Sequence, residues 1–152
     1  MKKHLIFLLT FLFLASPLKA IDLEGRTGVS VSGNWGLHAV AYVGIPLSSR
    51  FAVRSGLQFH TVEWDSYRPS DHWRIGWIVP VYASFRFPLG EKTCFRTDVG
   101  PYAGIGDEVH LGGAAEAGVE FGNVYVGAGY FQNGIGDTDY QFNFSVGYKF
   151  SL

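Results

Sequence analysis

The sequence predicts an all-β chain: an eight-stranded antiparallel transmembrane β-barrel, wound up-and-down, behind a cleaved N-terminal signal peptide. Three observations predict it. Apolar and polar residues alternate with a period of two from about residue 27 to residue 150, and no run of helical spacing interrupts them. Short turns and longer, more acidic links alternate between the runs. The largest rings gather at the ends of the runs, as they do at the two interfaces of a bilayer.

The signal comes first. Lys2 and Lys3 form a positive start, Leu5 to Ala15 an apolar core, and Leu18-Lys19-Ala20 offers a small residue for cleavage. The apolar core is too short to span a bilayer as a helix. Residues 1–20 are therefore read as the signal peptide and residues 21–152 as one barrel domain. The residue after the cleavage point is Ile21 and not a cysteine, which disfavours a lipid anchor. All 20 glycines lie after the signal.

The elements follow in order. Thr27, Val29 and Val31 alternate with Gly28, Ser30 and Ser32, and Leu37, Ala39, Ala41 and Val43 continue the pattern. Phe51, Val53, Leu57 and Phe59 oppose Arg54, Gly56, Gln58 and His60. The longest row runs from Trp73 through Ile75, Trp77, Val79, Val81, Ala83 and Phe85 to Phe87, opposite Arg74, Gly76, Tyr82, Ser84 and Arg86. Phe95, Thr97 and Val99 face away from Arg96, Asp98 and Tyr102, and Ala115, Ala117, Val119 and Phe121 away from Glu116, Gly118 and Glu120. Val124, Val126, Ala128 and Tyr130 oppose Tyr125, Gly127 and Gly129. The last row, Tyr140, Phe142, Phe144, Val146, Tyr148 and Phe150, opposes Gln141, Asn143, Ser145, Gly147 and Lys149. Its length of about eleven residues suits a tilted membrane strand.

Pro46 to Arg50, Pro88 to Lys92 and Gly122-Asn123 read as tight turns, whereas Glu63 to His72, Gly104 to Gly112 and Gln132 to Asp139 read as longer outer loops. Both termini then fall on the short-turn, periplasmic side. Pro80 and Pro101 lie inside predicted strands, where a missing N–H calls for a bulge or a gap in the ladder.

The rings decide which face meets lipid. Phe51, Phe85, Phe87, Phe95, Phe121, Tyr148 and Phe150 sit beside the short turns, and Trp35, Trp73, Tyr130 and Tyr140 beside the long loops. Mainly Val, Ala and Leu lie between, so the apolar rows are expected to face outward. The polar rows then line a narrow lumen that side chains fill, with no wide pore. Arg54, Arg74, Arg86, Arg96 and Lys149 are expected there with Asp98, Glu116 and Glu120. Because isolated buried charge is costly, these must pair. The three acids leave two positive charges to be offset by tyrosine hydroxyls, carbonyls, water or an anion.

The segments Gly44 to Phe59, Ile78 to Gly90, Asp98 to Gly106, Gly112 to Tyr130 and Phe142 to Phe150 together resemble the small eight-stranded outer-membrane β-barrel family of Bacteroidetes type. The resemblance implies a fold and an outer-membrane location, and no common catalytic residues. It also implies that the closing aromatics, here Tyr148 and Phe150, are read by the barrel-assembly machinery, although Ser151 and Leu152 follow them. The expected partners are that machinery during biogenesis, and outer-membrane lipid and lipopolysaccharide afterwards. A monomer is expected.

Composition removes other classes. Charged residues make up 16% of the chain, against roughly 25% in ordinary soluble domains. The whole chain carries a net charge of −1 and the signal three lysines without acids, so the mature chain at −4 is a poor nucleic-acid partner. The one cysteine, Cys94, excludes an intramolecular disulfide and a cysteine-built zinc site.

Chemistry is sparse, and no catalytic, cofactor or metal residue is assigned. Eight-stranded barrels that deacylate lipid A need a serine activated by a histidine. His60, His72 and His110 sit near predicted loops with Ser66 and Ser70, but Tyr130 to Gly134 lacks the His-x-Ser pair of that type. A lipid A-modifying hydrolase is nevertheless the alternative reading. The tetrapeptide Gly-Ile-Gly-Asp occurs at Gly104 to Asp107 and again at Gly134 to Asp137, as glycine turns with solubilising acids rather than complete calcium loops. Gly33-Asn34-Trp35 echoes the G-x-W element of lipocalins, so a soluble exported binding barrel is a second alternative.

Overall fold

In the computed structural model the described residues are 21–32, 34–61, 76–105, 109–133 and 140–151. They form eight strands: β1 (Asp22–Ser32), β2 (Asn34–Pro46), β3 (Phe51–His60), β4 (Gly76–Pro88), β5 (Thr93–Ile105), β6 (Val109–Phe121), β7 (Val124–Asn133) and β8 (Tyr140–Ser151). Each strand pairs antiparallel with the next in sequence, and β8 closes on β1. The barrel has no free edge, so every strand finds a partner on both sides without help from water.

The turns at one end follow from their residues. In the β2–β3 turn Ser48 Oγ accepts from the N–H groups of Arg50 (3.2 Å) and Phe51 (3.0 Å). Gly122 opens the two-residue β6–β7 turn with φ at +60°, which side-chain-bearing residues adopt only with strain. Neighbouring turns are stitched together: Gly122 N donates to Lys92 O and Lys149 N to Asn123 O, both at 2.7 Å.

Facing follows the alternation, turned inside out relative to a soluble barrel. On β8 Phe144 is 55% and Val146 54% exposed, while Gln141 is 0% and Asn143 3%. The apolar rows stand outward on every strand and the charged rows line the lumen. A surface of this kind is stable against hydrocarbon and not against water. Rings pair at both rims: Phe51 with Phe85 (5.3 Å) and Tyr148 with Phe150 (4.8 Å) at the short-turn end, Phe59 with Trp77 (5.5 Å) and Tyr130 with Phe142 (5.3 Å) at the other. Trp73 lies outside the described residues.

The prolines open gaps, not bulges. The β3–β4 ladder breaks between Ser55↔Val81 and Gln58↔Ile78, and the β4–β5 ladder between Pro80↔Tyr102 and Ala83↔Val99. Register is the same on both sides of each gap, so no residue is inserted. Ser55 Oγ donates to Pro80 O at 2.8 Å and binds the wall together there.

The structure begins β1 at Asp22, five residues before the alternating run that starts at Thr27. That difference changes the lumen.

Candidate functional site

The lumen holds the chemistry of this chain. On β1 the inward positions are Asp22, Glu24 and Arg26, all buried. β3 supplies Arg54, β4 Arg86, β5 Arg96 and Asp98, and β6 Glu116 and Glu120. Residues two apart on one strand share a face, so each strand delivers its charges in vertical steps.

Glu24 lies at the centre. Its Oε2 takes Arg54 Nη2 and Arg96 Nη1, each at 2.8 Å, and its Oε1 takes Arg96 Nη2 at 3.0 Å. Arg26 also pairs with Glu24 through its Nε. Across the lumen Arg26 Nη1 meets Glu116 Oε2 at 2.5 Å, and Arg26 Nη2 and Arg54 Nη1 share Asp98 Oδ2 at 3.3 and 3.2 Å. Arg96 pairs with Glu120 and brings its Nε within 3.1 Å of Asp98. Nearer the short-turn mouth Arg86 lies 3.2 Å from Asp22 and 3.3 Å from Glu120.

Tyrosines complete the cluster. Tyr42 and Tyr82 donate their hydroxyls to Glu116 Oε1 at 3.1 and 3.3 Å. The guanidiniums of Arg26 and Arg96 both lie over the Tyr125 ring, 3.8 and 4.1 Å from its centre. Gly118 and Gly127 make room for that ring: a Cβ on either would lie about 2.5 Å or less from Tyr125 atoms.

The charge balance differs from the expectation. Among the described residues the lumen and its mouth hold five bases (Arg26, Arg54, Arg86, Arg96 and Lys149) and five acids (Asp22, Glu24, Asp98, Glu116 and Glu120). The net charge is zero, and the two surplus positive charges read from the sequence vanish. Three residues of β1 account for the change, together with Arg74, which lies outside the described residues. Glu116 finds its base in Arg26, which is absent from the expected set, while Glu120 takes Arg86 and Arg96. Lys149 stands half-buried at the mouth and joins no ion pair among the described residues.

Sequence reasoning passed over Glu24 and Arg26 because the outward side of early β1 reads Leu23, Gly25, Thr27, too weak an apolar row to mark a strand. The usable signal was on the other face: Asp22, Glu24, Arg26, Gly28 and Ser30 alternate without a break.

Above the charges the lumen is plugged twice over. Val40, Ile78, Tyr102, Ala114 and Phe131 form an apolar cluster on one side, with Tyr102 and Phe131 ring centres 5.7 Å apart. On the other, Ser30 Oγ donates to Asn143 Oδ1 (2.8 Å), lies 3.0 Å from His38 Nδ1 and accepts from Gln141 Nε2 at 3.2 Å. Ser30 and His38 resemble a nucleophile and its base, but Ser30 is fully buried and fully engaged, which makes the pair part of the plug.

The remaining residues singled out from sequence are scattered. His60 is buried on the inward face of β3. Ser66, Ser70, His72 and Asp107 lie outside the described residues, as do the second Gly-Ile-Gly-Asp copy and the side chain of His110. Cys94 Sγ donates to Glu120 Oε2 at 3.0 Å. Tyr148 and Phe150 stand outward at the short-turn rim, and Tyr148 OH accepts from Asn123 Nδ2 at 3.3 Å. Among the described residues no group of three or more His, Cys, Asp or Glu is arranged to hold a metal.

A closed antiparallel barrel with an apolar outside and a salt-bridged inside defines a class: the small eight-stranded β-barrels of the outer membrane. Solved structures of that class share the fold. Neisserial surface protein A (NspA) matches with a TM-score of 0.61 at 13% identity, over 88% of this chain and 96% of its own. The N-terminal β-barrel domain of OprF from Pseudomonas aeruginosa gives 0.58 at 12% identity, over 87% and 100%. The outer membrane enzyme PagL gives 0.52 at 15%, over 86% and 99%. No family model and no curated protein matches the chain.

Proposed function

We propose that the chain is exported, loses residues 1–20, and serves as a monomeric structural or interaction barrel of the cell envelope. The observation that carries this reading is the lumen, which among the described residues is filled by compensated ion pairs and an apolar cluster. A barrel closed inside can act only through its surfaces, which are the lipid-facing wall, the outer loops and the periplasmic mouth. Its contacts are then outer-membrane lipid and lipopolysaccharide along the wall. The Bacteroidetes-type assignment rests on the sequence segments described above, and the assembly role of Tyr148 and Phe150 on their place at the end of β8.

The soluble-barrel alternative fails on facing, since Phe142, Phe144, Val146, Tyr148 and Phe150 stand outward and the inside is charged. The hydrolase alternative gains nothing from Ser30 and His38, which are sealed within the lumen.

Reconstitution into liposomes tests the proposal. Vesicles carrying the protein should retain a small sugar as well as empty vesicles do, and the protein should partition with outer membranes on fractionation. Sugar release that scales with protein content would replace this reading with that of a pore.

A further inference from the structure

At the short-turn mouth of the barrel the β4–β5 turn, the β6–β7 turn and the end of β8 surround an open recess of about 410 Å³. Arg86, Glu91, Lys92, Cys94, Glu120 and Lys149 are among its lining residues. We propose that this mouth binds a short acidic peptide from the periplasmic side, with Lys92 and Lys149 taking its carboxylates.

The charges in the recess are not equivalent. Glu120 is neutralised from within by Arg96 and Arg86, and Arg86 is shared with Asp22. Cys94 donates to Glu120 as well, so that carboxylate has no capacity left for a cationic ligand. Lys92 and Lys149 join no ion pair among the described residues. Lys149 occupies the inward side of β8, in the row of Gln141, Asn143 and Ser145, and is half-buried against the recess. An ammonium held in this position is a point charge with three donors and no acceptor to meet.

The lining selects the ligand class. It carries both signs, with Glu91 exposed beside Lys92 on the β4–β5 turn, and Thr93 and Asn123 add neutral polar groups. A peptide presents carboxylates, an ammonium and amides together, whereas a phosphate offers concentrated negative charge that Glu91 opposes. A lipid headgroup is the wrong geometry. Arg86, Glu120 and Lys149 open on the lumen side of the wall, while Phe85, Phe121 and Tyr148 meet lipid on the other. The turns around the recess are fixed to one another by the Gly122–Lys92 and Lys149–Asn123 backbone bonds, so the site is formed before a ligand arrives. This inference goes beyond the structural role proposed above and takes from it only that the short-turn end faces the periplasm, which binding in detergent does not require.

Titration calorimetry of the full chain in detergent, with tri-glutamate, tri-glutamine and inorganic phosphate as probes, tests it. Tri-glutamate should bind, more weakly as salt rises, and its affinity should fall about tenfold in Lys149→Gln and in Lys92→Gln. Lys92 is on an exposed turn, so Lys92→Gln keeps the test valid should Lys149→Gln fail to fold. Equal binding of tri-glutamine or of phosphate would overturn the proposal, as would no heat with tri-glutamate or unchanged affinity in the folded variants.

Discussion

Arg26 on β1 reaches across the lumen to Glu116 on β6, Nη1 to Oε2 at 2.5 Å, although ninety residues separate them in the chain. Neither strand pairs with the other in the sheet. The contact therefore braces the barrel across its lumen, at a level where both side chains are nearly sealed from solvent. Burying such a pair costs desolvation of both ions, and the favourable part of the balance appears only when the geometry is complete. Here Glu116 also accepts from Tyr42 and Tyr82, and Arg26 also meets Glu24 and Asp98. The cluster specifies which strands stand opposite one another.

Removing one partner should therefore be severe. Glu116→Ala leaves the Arg26 guanidinium buried beside fewer acids and is expected to cost about 3–5 kcal/mol. Glu91→Ala, on an exposed turn, should cost less than about 1 kcal/mol. Urea midpoints of both variants in one detergent check this, and similar midpoints would show that the cross-lumen pairs do not hold the barrel together.

Two glycines that nearly touch in the β1–β8 seam should behave oppositely. A Cβ on Gly147 would lie 2.5 Å from Arg26 Cγ, inside the lumen, whereas one on Gly25 would meet nothing within 4 Å, on the outside. Gly147→Ala is expected to destabilise by about 1–3 kcal/mol through overpacking, and Gly25→Ala to do far less. Thermal or urea unfolding of the two variants measures the difference directly.

A charge on the outer wall has its own signature. Val146→Arg places a guanidinium among lipid chains near mid-barrel and should cost about 2–4 kcal/mol, while Ser145→Ala, one residue away but inward, should change little. Unfolding from lipid vesicles compares them, and equal losses would contradict the outward placement of the apolar rows.

Much of this fold was legible because a membrane barrel writes a period of two into every strand. The β8 row, with rings and Val146 on one side and Gln141, Asn143 and Ser145 on the other, defines its own facing. Glycine and proline marked the turns, and ring placement marked the two rims. The centre of the lumen was harder. Arg54, Arg96, Asp98, Glu116 and Glu120 were readable as inward, but pairing across a barrel leaves no trace in local spacing. Glu24 and Arg26 were hidden because Gly25 weakens the outward row that normally announces a strand. The proline gaps were legible as a need and not as a form: the register runs through both unchanged, and in the β4–β5 gap Gly100 comes so close to β4 that a Cβ on it would lie 2.0 Å from Val81 O.

The facing of β8 is the claim on which the lumen, the membrane and the mouth all depend. Nitroxide labels placed singly at residues 141 to 146 and at 148, in a Cys94→Ser background and in lipid vesicles, report it through collision with oxygen and with a water-soluble reagent. The expected result is an alternation in which Phe142, Phe144, Val146 and Tyr148 are open to oxygen and Gln141, Asn143 and Ser145 are shielded. Alternation of the opposite parity, or none, would contradict the account.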